Sequence, residues 1–259
     1  MPIRPAVRWL LHLAVLLPAA FGPAAAVAQL RVVASQTLEP VVEAVRPVFL
    51  AETGTELLVD YGSAPVLRAR ADAGEPFDVA LLTRDALDWL AWRGRVVPSS
   101  RVDLARSGLG IAVRADAPLP EVFTTASFKQ ALLDAPSIMR SADGTSGAYF
   151  EALIVQLGIA DRIRPKLLAR PTGRAADSVA LGEAAMAVQQ ISEILRVPGV
   201  RLAGPFPPGL QLYTVFGAAI GTRAASPRAA AALIARLSAP SADFVYQFSA
   251  LEPARFAGR

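Results

Sequence analysis

From Leu30 onward the chain alternates short apolar runs with longer stretches in which apolar residues recur every three or four positions. Short runs bounded by turn residues fit strands buried on both faces, and the longer period fits helices that cover them. LRVVAS reads as a strand, TLEPVVEAVRPVFLAETG as a helix closed by Gly54, TELLVDYG as a second strand and APVLRARADAG as a helix closed by Gly74. FDVALLT and RDALDWLAWRGRV add one more pair. SGLGIAVRADAP predicts a strand that runs into a loop with Pro118 and Pro120, after which the pattern restarts. SFKQALLDAP, TSGAYFEALIVQLG and GRAADSVALGEA then read as helices, interleaved with strands SIMRSA, KLLARP and AMAVQQ. The Pro- and Gly-rich VPGVRLAGPFPPGLQLYTVFGAAIG predicts extended segments, and SPRAAAALIARLSAP and SADFVYQFSALEP predict closing helices.

Strands alternating with helices predict an α/β fold in which sheets are flanked by helices. Two units of similar size are visible, joined near residues 110–118 and again near 211–219. The expected organisation is one lobe from residues 29–112 and 216–259 and a second from 113–215, each a mostly parallel sheet, with two crossovers forming a hinge.

The N-terminal segment has a different pattern. Arg4 and Arg8 precede the apolar run WLLHLAVLLPAAF, and Ala26-Val27-Ala28 offers a small-x-small cleavage site, so Met1–Ala28 reads as a cleavable export signal with the mature chain starting near Gln29. His12, the sole histidine, lies inside it, and there is no cysteine. A mature chain without either cannot build a Ser-His-Asp triad, a thiol nucleophile, a zinc site of the usual ligand types or a disulfide framework. Without Arg4 and Arg8 the 26 basic residues become 24 against 22 acidic ones, with no basic block, which argues against a nucleic-acid partner.

Candidate chemistry lies where strands end. In open α/β sheets ligands bind beyond the carboxyl ends of the strands, where helix N-termini present unpaired N–H groups. Hydroxyls stand at four such places: Ser35 after RVVA, Ser63 after VDYG, Thr145 and Ser146 after MRSADG, and Thr172 before GRAADSVALGEA. Each could be a plain helix cap or a ligand donor. Jointly they would suit a fully ionised, acceptor-only guest held by neutral donors.

The segments VVAS with Ser35, YGSAPVL followed by AGEPFDVALLT, TSGAYFEALIVQLGI and ALGEAAMAV resemble the periplasmic molybdate-binding proteins of ABC importers, within the type II periplasmic binding proteins, over essentially all of Leu30 to Arg259. This resemblance implies a two-lobed receptor that closes on molybdate or tungstate, needs no cofactor, catalyses nothing, acts as a monomer in the periplasm and delivers its cargo to a membrane ABC permease. It further implies that Ser35 and Ser63 hold the oxyanion, that Ser146 contributes a backbone donor, and that Thr172 or Gly173 marks a second contributing helix start. One branch of the family has a tyrosine hydroxyl at the end of the strand matching AMAVQQ, where this chain has Gln190. Glutamine can donate through its amide, and the exchange leaves open molybdate, another oxyanion or an organic carboxylate.

An arginine inside the cleft and a larger pocket would favour the carboxylate. Arg140 and Arg174 are the nearest in sequence, and the surface is the expected place for both. A ligand-sensing domain of a regulator is disfavoured by the export signal, and a secreted enzyme by the missing His and Cys. Glu193 and Asp143 are the acidic residues nearest the proposed cleft, with nothing to fix them as a catalytic pair. Lys129 and Lys166 are expected on solvated segments. Trp89 and Trp92, at i, i+3 spacing, are expected to face the sheet, and Tyr149 to pack in the core.

Overall fold

The computed structural model describes residues 28–171 and 173–256. Of the expected signal only Ala28 is described, and it opens the first strand. The chain runs β1 (Ala28–Ser35), α1 (Glu39–Thr53), β2 (Thr55–Gly62), α2 (Ala64–Asp72), β3 (Val79–Thr83), α3 (Arg84–Trp92) and β4 (Val102–Ser107). It continues through β5 (Leu109–Arg114), α4 (Thr125–Asp134), β6 (Ile138–Ser141), α5 (Thr145–Gln156), α6 (Ala160–Ile163), β7 (Leu167–Arg170) and α7 (Ala175–Ala180). It closes with β8 (Met186–Gln190), α8 (Ile191–Ile194), β9 (Val200–Pro205), β10 (Thr214–Ile220), α9 (Pro227–Ser238), α10 (Asp243–Phe248) and β11 (Glu252–Pro253).

Two sheets result, ordered β11-β4-β10-β3-β1-β2 and β7-β6-β8-β5-β9. Strands joined by a helix pair in parallel, as in β1 with β2 and β3 and in β6 with β7 and β8. The strands that carry the chain between lobes enter antiparallel: β10 against β3 and β4, β5 against β8 and β9. Each sheet is therefore mixed, not mostly parallel, because a strand arriving directly from the other sheet has no covering helix to reverse it.

Both faces of each sheet are covered, which explains the near-continuous apolar strand sequences. Leu30, Val32 and Ala34 of β1 pack with Phe49, Phe216 and Tyr246 on one side, while Val33 joins Leu67, Leu82 and Leu90 on the other. In the second lobe Ile111 and Val188 meet Phe128, Phe150 and Phe206, and Ala112 and Ala187 meet Met139 and Ile194. Gly54, at φ +64, ends α1 in the left-handed conformation and donates to Leu50 O at 2.8 Å.

The chain passes between sheets at Gly108 and across residues 206–213. Residues 109–112 thus pair in the second sheet and 214–215 in the first. The shift from the expected crossings arises from β4, whose VDLARS alternates charged and apolar positions and shows no apolar run in the sequence. The two crossings are stitched together, since Gln211 Oε1 accepts from Leu109 N at 2.7 Å and its Nε2 donates to Leu109 O at 3.0 Å.

Trp89 and Trp92 do not face the sheet. They are 41% and 73% exposed, 5.2 Å apart between ring centroids, and overlaid by the guanidinium groups of Arg68 and Arg93. Ala86, Leu87 and Leu90 are the buried stripe of α3, so the tryptophans fall on its other side. Among the described residues no helix is long and apolar enough to cross a membrane.

Candidate functional site

The carboxyl ends of β1, β2 and β3 in one lobe and of β6 and β8 in the other meet around a cavity of about 40 Å³ between the lobes. Ser35, Ser63, Thr145, Ser146, Gly173 and Gln190 all line it. Thr172 lies outside the described residues.

The hydroxyls differ in what they do. Ser35 and Ser63 occupy the positions preceding helical turns, yet neither side chain makes a cap hydrogen bond. Ser35 Oγ donates to Thr37 Oγ1 at a long 3.4 Å, and Ser63 Oγ has no hydrogen bond to a described residue. Thr83, at the start of α3, accepts from Ala86 N at 3.4 Å and is an ordinary cap. Ser146 is buried in the first turn of α5 with its hydroxyl unbonded to described residues, beside the open amides of that helix start.

The α5 loop owes its position to two contacts. Ser141 Oγ accepts from Gly144 N at 2.9 Å, and the helix packs so closely on the end of β6 that a Cβ on Gly147 would lie 1.9 Å from Ser141 O. Gly147→Ala should force the α5 start away from β6. We expect a destabilisation of about 1–3 kcal/mol, read as a lowered urea midpoint with an unchanged slope.

The start of α7 offers less than the sequence implied. Gln189 Oε1 accepts from Ala176 N at 2.9 Å and Asp177 Oδ2 accepts from Arg174 N at 3.1 Å, so two of its first amides are already satisfied. Gln190 is similarly engaged. With its amide turned so that each donor meets an acceptor, Nε2 donates to Ser107 Oγ at 3.1 Å and Oε1 accepts from Thr214 Oγ1 at 3.0 Å. Gln190 therefore ties the end of β8 to both crossing strands while lining the cavity.

One carboxyl enters this neutral lining. Glu193, on α8, receives a hydrogen bond from Thr37 Oγ1 at 2.5 Å across the lobe boundary and another from Gln189 Nε2. Burial pushes its pKa above the usual carboxylate range, opposed by those two hydrogen bonds and by Arg174, and assisted by the negative charge of Glu39. Asp143 is exposed and does not line the cavity. Ser141, Thr37, Thr83 and Thr214 line it as well; Thr83 stands between FDVALLT and RDALDWLAW in the same strand-to-helix pattern as the four places singled out, whereas the other three do not directly precede a predicted helix.

Arg140 and Arg174 are neither surface groups nor cleft groups. Arg140 is mostly buried, paired with Glu151 and donating to Ser141 O at 2.9 Å, whereas Arg174 bonds Asp177 and reaches Glu39 of the other lobe at 4.0 Å. Arg196 meets the same Glu39 at 3.2 Å. Lys166 Nζ donates to Leu133 O and Ala135 O at 2.5 Å each, a structural use that agrees with its lowered pKa through burial. Tyr149 packs on the second-lobe core and donates to Leu210 O at 2.9 Å.

The cavity adjoins a second pocket of about 400 Å³, with Thr83, Thr145 and Thr214 common to both walls. Arg68 and Arg84 border that pocket. Arg84 is paired with Asp103, but Arg68 has no carboxylate partner among the described residues and rests on Trp89 at 5.3 Å. No group of three or more potential metal-ligating side chains exists among the described residues.

Residues 30–247 match the family model of the bacterial extracellular solute-binding proteins. The chain belongs to this family. Among individual relatives, this solute-binding protein is 34% identical over 238 residues to an aconitate isomerase of Pseudomonas sp., with 88% of each chain covered. Its fold is similar to that of the Azotobacter vinelandii periplasmic molybdate-binding protein, with a TM-score of 0.74 and 20% identity over 86% of this chain and 98% of that one. The sulfate-binding protein SubI of Mycobacterium tuberculosis H37Rv gives a TM-score of 0.75 and 15% identity over 89% and 88%. At such identities the two structures establish the two-lobed α/β fold of this solute-binding protein and nothing of its ligand.

Proposed function

We propose that this solute-binding protein captures a small organic polycarboxylate between its lobes in the periplasm and delivers it to a membrane ABC permease. The observation that carries the reading is the Arg68 pocket that adjoins the cleft across Thr83, Thr145 and Thr214. A single tetrahedral anion held among the serine hydroxyls would leave the larger pocket and its unpaired guanidinium unused. A ligand with two or three carboxylates can seat one among the serine hydroxyls and direct another toward Arg68, where a charge-assisted hydrogen bond contributes about 1.5–3 kcal/mol. Glu193 points the same way, because a fully ionised oxyanion would face a carboxyl group, whereas an organic acid has apolar carbon to set against it. The aconitate isomerase relative supplies a concrete candidate, since aconitate is an unsaturated tricarboxylate.

A second reading, molybdate or tungstate, rests on the uncommitted hydroxyls of Ser35 and Ser63. Titration calorimetry against cis- and trans-aconitate, propane-1,2,3-tricarboxylate, molybdate, tungstate and sulfate separates the two. We expect the tricarboxylates to bind and, at a hundredfold excess over Kd, to stabilise the protein by about 2.7 kcal/mol. Tight binding of molybdate with no heat from any tricarboxylate would replace the first reading by the second.

A further inference from the structure

A receptor for anions gains nothing from a carboxyl group in its binding wall. Two like charges 4 Å apart repel by about 1 kcal/mol in water and by more where water is scarce. Glu193 nevertheless stands at the cavity wall, on a four-residue helix immediately after β8. Its two oxygens are held from opposite lobes, Oε1 by Thr37 of the first and Oε2 by Gln189 of the second. Each oxygen keeps a further lone pair, so the group is fixed in place without being used up. This is the arrangement expected of a proton carrier that is assembled when the lobes are together.

We infer that Glu193 is a catalytic acid–base and that the cleft isomerises an unsaturated polycarboxylate by moving one proton between two of its carbons. The inference rests on the polycarboxylate reading above. As a carboxylate, Glu193 removes a proton from the methylene carbon that lies between a carboxylate and the C=C bond. The released C–H electron pair becomes a new C=C bond, and the old π pair moves onto the far alkene carbon and its conjugated carboxylate. Glu193, now a carboxylic acid, returns the proton to that far carbon and is a carboxylate again. One C–H bond breaks and one forms, with no oxidant, reductant or water consumed. The unbonded hydroxyls of Ser63 and Ser146 are donors available for the enolate oxygens in the intermediate. Burial moves Glu193 upward from the ordinary carboxyl value of 4.5, which makes it a stronger base for this task, with Arg174 and Glu39 as the charged groups that bear on it.

The test is to incubate the protein with trans-aconitate in D2O and to follow the ligand by proton NMR, with calorimetry on the same samples. We expect deuterium to enter the methylene and vinyl positions while cis-aconitate accumulates. Glu193→Gln should lower the exchange rate by about 100-fold or more while trans-aconitate still binds. Thr37 can rotate to accept from the new amide, so the variant keeps both flanking contacts. Should it fail to fold, Glu193→Asp, with its carboxyl withdrawn by one methylene, carries the same comparison. Binding of trans-aconitate without isotope exchange, or exchange that persists in the variants, overturns this inference alone. No binding of trans-aconitate overturns it together with the polycarboxylate reading.

Discussion

Alanine at both Ser35 and Ser63 lowers the affinity of the cleft for its ligand by about a hundredfold or more and leaves the unfolding midpoint almost where it was. Both halves of that result follow from the same observation. Neither serine makes a cap hydrogen bond, and Ser63 is bonded to no described residue, so the folded protein loses little when the hydroxyls go. A hydrogen bond to a charged group contributes about 1.5–3 kcal/mol, and losing two removes about 3–6 kcal/mol of binding. Helix caps would give the opposite pattern, with about 1 kcal/mol of stability lost at each and the affinity retained. Calorimetry and thermal unfolding on the double variant distinguish the two directly.

Arg68→Ala should weaken a tricarboxylate by about 10- to 100-fold and leave molybdate or a single-carboxylate ligand such as crotonate unaffected. Its guanidinium is at the adjoining pocket, away from the serines, so only a ligand long enough to occupy both places can use it. The loss should shrink as salt is raised, because the side chain is partly open to solvent and its charge is screened. Competition titrations at two ionic strengths measure both effects. Equal losses for mono- and tricarboxylates would mean that Arg68 supports the pocket wall and touches no ligand.

The strand and helix plan is legible because both lobes bury their sheets on two faces. β1, β3, β5 and β8 are apolar on alternate sides at once, which leaves short unbroken runs that the sequence displays openly. β4 escaped because it is flanked by the crossing and carries Asp103 on an exposed and Arg106 on a half-buried position. The cleft serines were legible for the same reason as the strands, since each ends a run. Thr37 was not, and Glu193 was placed near the cleft without its partner, because what unites them is a contact between residues 156 positions apart. Glu193 carries no local mark of its burial, and on a short helix an isolated glutamate resembles any solvated one. Arg68 was hidden similarly: a basic residue on an amphipathic helix reads as surface until the fold sets it beside Thr145 and the 212–215 segment around one pocket. The tryptophans misled because i, i+3 spacing identifies a face without saying which face, and Leu87 and Leu90 carry the same spacing.

The clasp of Gln211 on Leu109 has a bearing on tolerated change. One amide both donates to and accepts from a single backbone unit, as a neighbouring strand would, so the polypeptide treats a side chain as a piece of main chain. Glutamate lacks the donor, leucine lacks both groups, and asparagine falls a methylene short. Exchange at position 211 should consequently cost one or both of these hydrogen bonds, although the residue lies in an irregular connection, where drift is ordinarily freest.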